Sequence, residues 1–245
     1  VRSLPACLCL AGRPRVLQSS PGCALCPMRL SAALRSRGSS VGGVTLTRDD
    51  ERGIAFLTIC NAAKRNAFTA QMMVQLQSAV AALERWESGA ALVLRGDGGH
   101  FCAGAALQAD GAMQAPEQGL QMSHLMSDAL DRLRRLPLLS VAAVDGAAIG
   151  GGAELLTATD WRLFAADARV QFVQASMGVS TGWGGAGRLL ALCGRSEALR
   201  LLLLSPSLDA TEARAVGLAD DVAPAGECAS EAAVRLLIGP ALRNA

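Results

Sequence analysis

Tyrosine is absent from this 245-residue chain, and only five Phe and three Trp are present. A core of ordinary size must then be filled by Ala, Leu, Val and Met, whose small side chains require backbones to approach closely. Lysine is nearly missing as well, Lys64 being the single one among 23 basic residues. That skew reflects the base composition of a coding sequence more than any partner. Net charge is only +2, acidic and basic residues interleave from Arg48 onward, and no arginine-plus-aromatic stripe exists, so no nucleic-acid surface is expected. Apolar runs stop short of the ~18 residues of a membrane span, because Asp145, Glu154, Glu197 and Arg200 interrupt the longest of them. No membrane helix is expected. No G-x-x-x-x-G-K-[ST] phosphate loop occurs either. What remains, at 51% hydrophobic and 18% charged residues, suits one packed domain carrying a tail.

The tail is N-terminal. Residues 1–42 hold Arg2, Arg13, Arg15, Arg29, Arg35 and Arg37, and no acidic residue precedes Asp49. That composition is what an organellar leader has, and the segment is set apart as a leader or disordered stretch, with residues 43–245 as the folded domain. Four of the eight cysteines, Cys7, Cys9, Cys23 and Cys26, fall in it. Cys23 and Cys26 form a C-x-x-C, but the one-residue gap between Cys7 and Cys9 is poor for chelation, so these read as leader cysteines. Cys60, Cys102, Cys193 and Cys228 sit in apolar contexts and read as reduced core residues.

Gly43–Arg48 and Ile54–Cys60 are β-rich runs around the polar Asp49–Gly53 turn, a hairpin pattern. Thr69 then caps a helix to about Ser88, with Val74, Leu76, Val80, Leu83 and Trp86 on one face. Ala91–Arg95 is a buried strand ended by Gly96-Asp97-Gly98-Gly99. A second helix spans about Glu117–Leu136, and Leu139–Val144 is another strand. Strand and helix alternate, which gives an α/β fold. After a glycine cluster that opens a helix, Trp161–Phe164 and Val170–Val173 read as strands. Gly182–Gly187 reads as a loop before the Arg188-Leu189-Leu190 helix, with further helices at 196–204 and 211–217.

Three glycine-rich segments could carry chemistry. Gly182-Trp183-Gly184-Gly185-Ala186-Gly187, followed by Asp209, has the form G-x-G-x-x-G, but no strand leads into it and helix follows where a second strand is needed. The dinucleotide reading is therefore set aside. Phe101-Cys102-Ala103-Gly104-Ala105 and Gly150-Gly151-Gly152 each follow a strand, and each can present an unpaired backbone N–H, the second at a helix start. Two such amides converging would form an oxyanion hole, although glycine clusters also serve tight packing alone. His100 and His124, the only histidines, have no second ligand at metal-binding spacing and are expected at the surface. No metal is implied.

Asn66-Ala67-Phe68, Phe101–Ala105, and Val144-Asp145-Gly146-Ala147-Ala148-Ile149-Gly150-Gly151-Gly152-Ala153-Glu154-Leu155 resemble, in order and spacing, the enoyl-CoA hydratase/isomerase (crotonase) superfamily over residues 43 to about 225. Arg135–Val141, Arg169–Val173, Met177-Gly178 and Trp183-Gly184-Gly185 are similar to its decarboxylase branch. The resemblance implies a crotonase-like spiral of ββα units, with the C-terminal helical region truncated at Ala245. It further implies an acyl-CoA partner, a homotrimer or hexamer, and no cofactor beyond the CoA of the substrate. Its branch implies the cytosol, whereas the arginine-rich leader implies the mitochondrial matrix; the cytosol is the expectation here. By matching position, the oxyanion amides are those of Ala105 and Gly151, the catalytic side chains are Glu154 and Gln174, and Ala103, Gly150 and Trp183 contact substrate. Gln174 stands where hydratases carry a second glutamate. Hydration needs two carboxylates around a water, and the family's isomerases lean on that second acid, whereas losing CO2 from a malonyl-type thioester needs no general base. The expected reaction is conversion of ethylmalonyl-CoA to butyryl-CoA, with methylmalonyl-CoA a second candidate. Gln174 would hydrogen-bond the carboxylate, and Glu154 in its acid form or a bound water would protonate the α-carbon. A hydratase or isomerase, or a non-catalytic acyl-CoA-binding homologue, stays open as an alternative. Ala106 in place of the usual Asp, and Thr181 in place of the usual Pro, depart from the family pattern.

Overall fold

The computed structural model describes residues 42–106 and 116–244. The N-terminal leader, with Cys7, Cys9, Cys23 and Cys26, lies outside the described residues. The expected hairpin forms as β1 (Gly43–Asp49) and β2 (Ile54–Cys60), antiparallel, with Gly43 opposite Cys60 and Asp49 opposite Ile54. Helix α1 (Ala70–Leu83) follows, its N-cap Thr69 accepting the Met72 N–H on its hydroxyl, which supplies a partner for one of the first-turn amides. β3 (Ala91–Gly96), α2 (Pro116–Arg134) and β4 (Leu139–Val144) continue the alternation.

Next come β5 (Ala147–Ile149), α3 (Gly151–Leu156), β6 (Trp161–Phe164), β7 (Arg169–Gln171), α4 (Gly185–Leu204), β8 (Leu208–Asp209), α5 (Ala210–Ala215) and β9 (Asp221–Val222). The chain ends in α6 (Ala229–Ala232), π-helical turns over Ala233–Ile238, and α7 (Gly239–Arg243). One sheet of six strands runs β1-β2-β3-β4-β6-β9, parallel from β2 onward, and a second of three runs β5-β7-β8. Strands covered on both faces read as near-continuous apolar runs; Ala91, Leu92, Val93 and Leu94 of β3 and Val141 to Val144 of β4 are all fully buried. Because β3 and β4 are parallel neighbours, the loops leaving their C-terminal ends emerge on the same edge, the usual place for a ligand in such sheets.

Several expectations are corrected. Val74 of α1 is half exposed, and the inward face is Met72, Met73, Leu76, Ala79, Val80 and Leu83. The helix stops at Leu83, and Trp86 is buried beyond it, its indole N–H donating to Asp50 at 2.7 Å. The Arg188-Leu189-Leu190 helix begins already at Gly185 and is one element with the 196–204 helix, α4, broken only at Gly194, whose φ of 74° and ψ of 168° are not helical. His124 is exposed as expected, but His100 is half-buried and its Nδ1 lies buried without a partner among the described residues. Cys102 is buried, while Cys60, Cys193 and Cys228 are half-buried; all four are free thiols. No helix of the described residues is long and apolar enough to cross a membrane.

Candidate active site

The loop after β3 is shaped by Asn66, fully buried with φ of 59°. Its Oδ1 accepts from the Asn61 N–H at 2.8 Å, and its Nδ2 donates to the carbonyls of Asp97 and His100 at 2.7 and 2.6 Å. One side chain thus pins both ends of the Gly96–His100 turn. Beyond it, the amides of residues 102–106 can be followed one by one. Cys102 donates to the Ala147 carbonyl, Ala103 to Arg65, Gly104 to the Cys102 Sγ, and Ala106 to Phe68. Ala105 pairs with Phe68 in a parallel bridge whose two hydrogen bonds run through Gly104 O and Ala106 N. That geometry turns the Ala105 N–H to the opposite side, and it has no acceptor among the described residues.

The second loop joins β5 to α3. Gly150 adopts φ 55° and ψ −116°, a conformation closed to residues with a Cβ, and its amide donates to the Gln171 carbonyl of β7. Gly151 opens α3, so its N–H has no intrahelical acceptor and none elsewhere among the described residues. The two loops touch: Cys102 bridges Ala148, and a Cβ on Gly104 would stand 3.1 Å from the Gly151 nitrogen. Gly152 lies so close to the Cys102 carbonyl that a Cβ there would be 2.1 Å from its oxygen. Trp183, buried, lays its ring over Gly151 and meets Phe68 edge to face at 5.7 Å and 75°. Of the residues matched as substrate contacts, Ala103 and Gly150 have their amides spent within the protein, while Trp183 lines the Gly151 side.

Glu154 follows Gly151 by three residues on α3 and therefore lies on the same helix face. Its carboxylate is buried and accepts three N–H bonds: Gln174 Nε2 to Oε1 at 2.9 Å, and the Trp183 and Gly185 amides to Oε2 at 2.8 and 2.9 Å. The last two belong to the start of α4, where the helix dipole favours an anion. The helix N-terminus that a dinucleotide fingerprint would offer to a pyrophosphate is therefore filled by the chain's own carboxylate. Gln174 is 7% exposed, and its Oε1 is buried with no hydrogen-bond donor among the described residues. One of the two N–H groups of its amide goes to Glu154, a contact that the sequence does not announce.

Arg188 was not singled out from sequence. It is buried beneath Glu154, its Nε donating to Thr157 Oγ1 at 2.9 Å and its Nη2 to the carbonyls of Glu154 and Trp183 at 3.1 and 2.7 Å. Burial pulls its guanidinium below the ordinary arginine value, and the charges of Glu154 and Asp131 pull the other way. The signal for it was an isolated cation in the apolar turn Gly187-Arg188-Leu189-Leu190. Burial pushes the Cys102 thiol up to about 12, which makes it a packing and turn-closing group and not a nucleophile.

Comparison with known proteins places this geometry. The enoyl-CoA hydratase/isomerase family model matches residues 49–237. The chain is 46% identical over 182 residues to a Danio rerio protein named ethylmalonyl-CoA decarboxylase, covering 74% of this chain and 60% of that one. The chain thus spans about three fifths of the length of that curated relative. An enoyl-CoA hydratase from Bacillus anthracis superposes with a TM-score of 0.70 at 25% identity, over 82% of this chain and 74% of that one. A Thermobifida fusca protein solved in complex with CoA superposes at 0.73 and 29% identity, over 82% and 79%. With its parallel sheet, its paired glycine loops and more than two thirds of its residues under the family model, this chain belongs to the enoyl-CoA hydratase/isomerase family.

Proposed function

We propose that this chain decarboxylates a malonyl-type acyl-CoA thioester, ethylmalonyl-CoA giving butyryl-CoA, with methylmalonyl-CoA as a second substrate. The observation that carries the reading is what has become of the carboxylate that follows Gly151 on α3: Glu154 is spent on three N–H donors, and its neighbour is the neutral Gln174. Hydration would need a carboxylate free to deprotonate water. Decarboxylation needs only that negative charge be stabilised as it moves onto the thioester oxygen. The amides of Ala105 and Gly151 are the groups for that work; losing one donor from such a hole costs roughly 2.7–4 kcal/mol in other enzymes. The C–C bond to the carboxylate breaks, CO2 leaves, and the electron pair delocalises into an enolate whose oxygen the two amides hold. The buried ring of Trp183 packs over Gly151. The name of the Danio rerio relative and the CoA bound to the Thermobifida fusca neighbour support the substrate class. The same reading includes a homotrimer or hexamer in the cytosol, and the exposed Leu199, Leu203 and Leu204 of α4 are apolar surface for such an assembly to cover.

The test is incubation of the purified chain with ethylmalonyl-CoA and, separately, crotonyl-CoA. Butyryl-CoA from the first and no hydroxybutyryl-CoA from the second is the expected result. Hydration of crotonyl-CoA, or turnover of neither, overturns the proposal.

A further inference from the structure

We infer that Arg188 is a positioning residue for the oxyanion hole: together with Glu154 it clamps the backbone of Trp183, whose ring is wedged between the loops that carry the Ala105 and Gly151 amides. The inference rests on the decarboxylase reading above and concerns what keeps its two amides converged. Trp183 lies between β7 and α4, outside any helix or strand, so its buried backbone groups need partners from elsewhere. Its N–H donates to Glu154 Oε2 at 2.8 Å, and its carbonyl accepts from Arg188 Nη2 at 2.7 Å. No backbone N–H among the described residues reaches that carbonyl. Side chains thus hold both groups, a carboxylate on one side and a guanidinium on the other, and such charge-assisted bonds are roughly twice as strong as neutral ones.

Arg188 grips α3 as well. Its Nη2 donates to the Glu154 carbonyl at 3.1 Å and its Nε to Thr157 Oγ1 at 2.9 Å, and that hydroxyl donates in turn to the Glu154 carbonyl at 2.6 Å. These groups close the C-terminal end of α3, where the helix dipole favours a cation. The Trp183-Gly184-Gly185 turn passes so close over the guanidinium that a Cβ on Gly184 would stand 2.8 Å from Arg188 Nη1. Helix α3 has only six residues, Gly151–Leu156, about 9 Å at the usual rise. The guanidinium at its far end and the indole at its near end therefore hold it along its whole length.

The ring is the end of the clamp that meets the amides. A Cβ on Gly151 would stand 2.9 Å from two of its carbons, so the ring limits where Gly151 can lie. The same ring meets Phe68 edge to face at 5.7 Å. Phe68 brackets Ala105 with its two backbone hydrogen bonds, one to the Gly104 carbonyl and one from the Ala106 N–H. Loosening Trp183 would let the two amides drift apart with neither removed, and a misplacement of about 1 Å costs on the order of 100-fold in rate.

The experiment reads the hole directly. Butyryl-CoA isotopically labelled at its thioester carbonyl carbon is bound to the protein, and its C=O stretch is followed by infrared difference spectroscopy, since hydrogen bonds to that oxygen lower the frequency. The wild type is expected to lower it. Arg188→Met, similar in length but without donors, is expected to lower it less, while kcat for ethylmalonyl-CoA falls about 10- to 100-fold and KM changes less than about threefold. Trp183→Leu keeps the clamped backbone and removes the ring, so it should lose part of the frequency shift too. Adding Arg188→Met to it should lower kcat little further, because Arg188 acts through the ring. An unchanged frequency shift in Arg188→Met, or kcat losses that multiply in the double variant, overturns the inference. So does a wild type that leaves the frequency where it stands in free butyryl-CoA. Should Arg188→Met fail to fold, Trp183→Leu decides alone, a full wild-type shift counting against the inference. A wild type that lowers the frequency but forms no butyryl-CoA from ethylmalonyl-CoA sinks the decarboxylase reading instead, and the infrared comparison still judges the clamp.

Discussion

Replacing Glu154 with alanine removes the one acceptor group on which three donors from separate parts of the chain converge. Gln174 Nε2, the Trp183 amide and the Gly185 amide would each lose their partner in a buried place, and Arg188 would lose its nearest countercharge. A buried donor left unpaired costs about 1–3 kcal/mol, and removing one member of a buried ionic arrangement costs about 3–5 kcal/mol. Relaxation and entering water will recover part of the sum, so about 3–5 kcal/mol of lost stability is expected for Glu154→Ala. Glu154→Gln should behave differently. Its carbonyl can keep both backbone donors at the start of α4, which cannot turn, while its NH2 faces Gln174, whose amide can flip and accept. The two backbone donors keep an acceptor and the new NH2 gains one, so chiefly the charge assistance is lost, about 1–2 kcal/mol. Urea unfolding separates the two: with a slope of about 2 kcal/mol/M, the alanine midpoint should fall by about 2 M and the glutamine midpoint by less than 1 M. Equal losses in the two variants, or an alanine variant within about 1 kcal/mol of wild type, would refute the reasoning that these three contacts are what Glu154 is for.

Two other predictions follow from the packing and the thiols. Gly151→Ala would drive a Cβ to 2.9 Å from the Trp183 ring, so both the thermal midpoint and turnover should drop; adding Trp183→Leu should restore the midpoint, and a double variant no more stable than the single one would show that the ring is not what the methyl meets. Cys102 concerns alkaline pH. Burial raises its folded-state value from 9.0 to about 12, so the folded state holds a proton that the unfolded state releases above pH 9. The contribution is complete below that pH and is lost as pH rises toward 12, with a slope approaching about 1.4 kcal/mol per pH unit. With no Tyr and a single Lys in the sequence, few other groups compete in that window, although burial raises Cys193 and Cys228 too. Urea midpoints should fall from pH 8 to 10.5 in the wild type and fall less steeply in Cys102→Ala; parallel slopes would contradict the burial argument.

The identities at this site were legible in the sequence, and their allegiances were not. The hairpin, β3, β4 and the glycine-opened α3 could be read because each is a local pattern: alternation around a polar turn, an apolar run between breakers, glycine before a helix. β5, with three residues, and β8 and β9, with two each, carry no periodicity of their own and exist only because a neighbour pairs with them. Val74 was read as inward because it fits the spacing, yet Met72 and Met73 set the buried face, a choice made by what packs against α1. The same limit governs the chemistry. Glu154 meets Gln174 across 20 residues and the Trp183 and Gly185 amides across 29 and 31, contacts that no local pattern encodes. A reader of the sequence sees a glutamate and a glutamine and assigns each its free-solution talents, acid and donor. The fold spends the glutamate's acceptors on the α4 amides and the glutamine's donated bond on the glutamate, which leaves a carbonyl oxygen as the group with no partner. A glutamate at position 174 could not do the same: it has no N–H to give to Glu154, and two buried carboxylates side by side would compel one of them to keep a proton or turn away. The amide at that position therefore does more than omit a base. It gives Glu154 a third N–H donor beside the two amides at the start of α4, and it places no second carboxylate at position 174 for a substrate's α-carboxylate to meet.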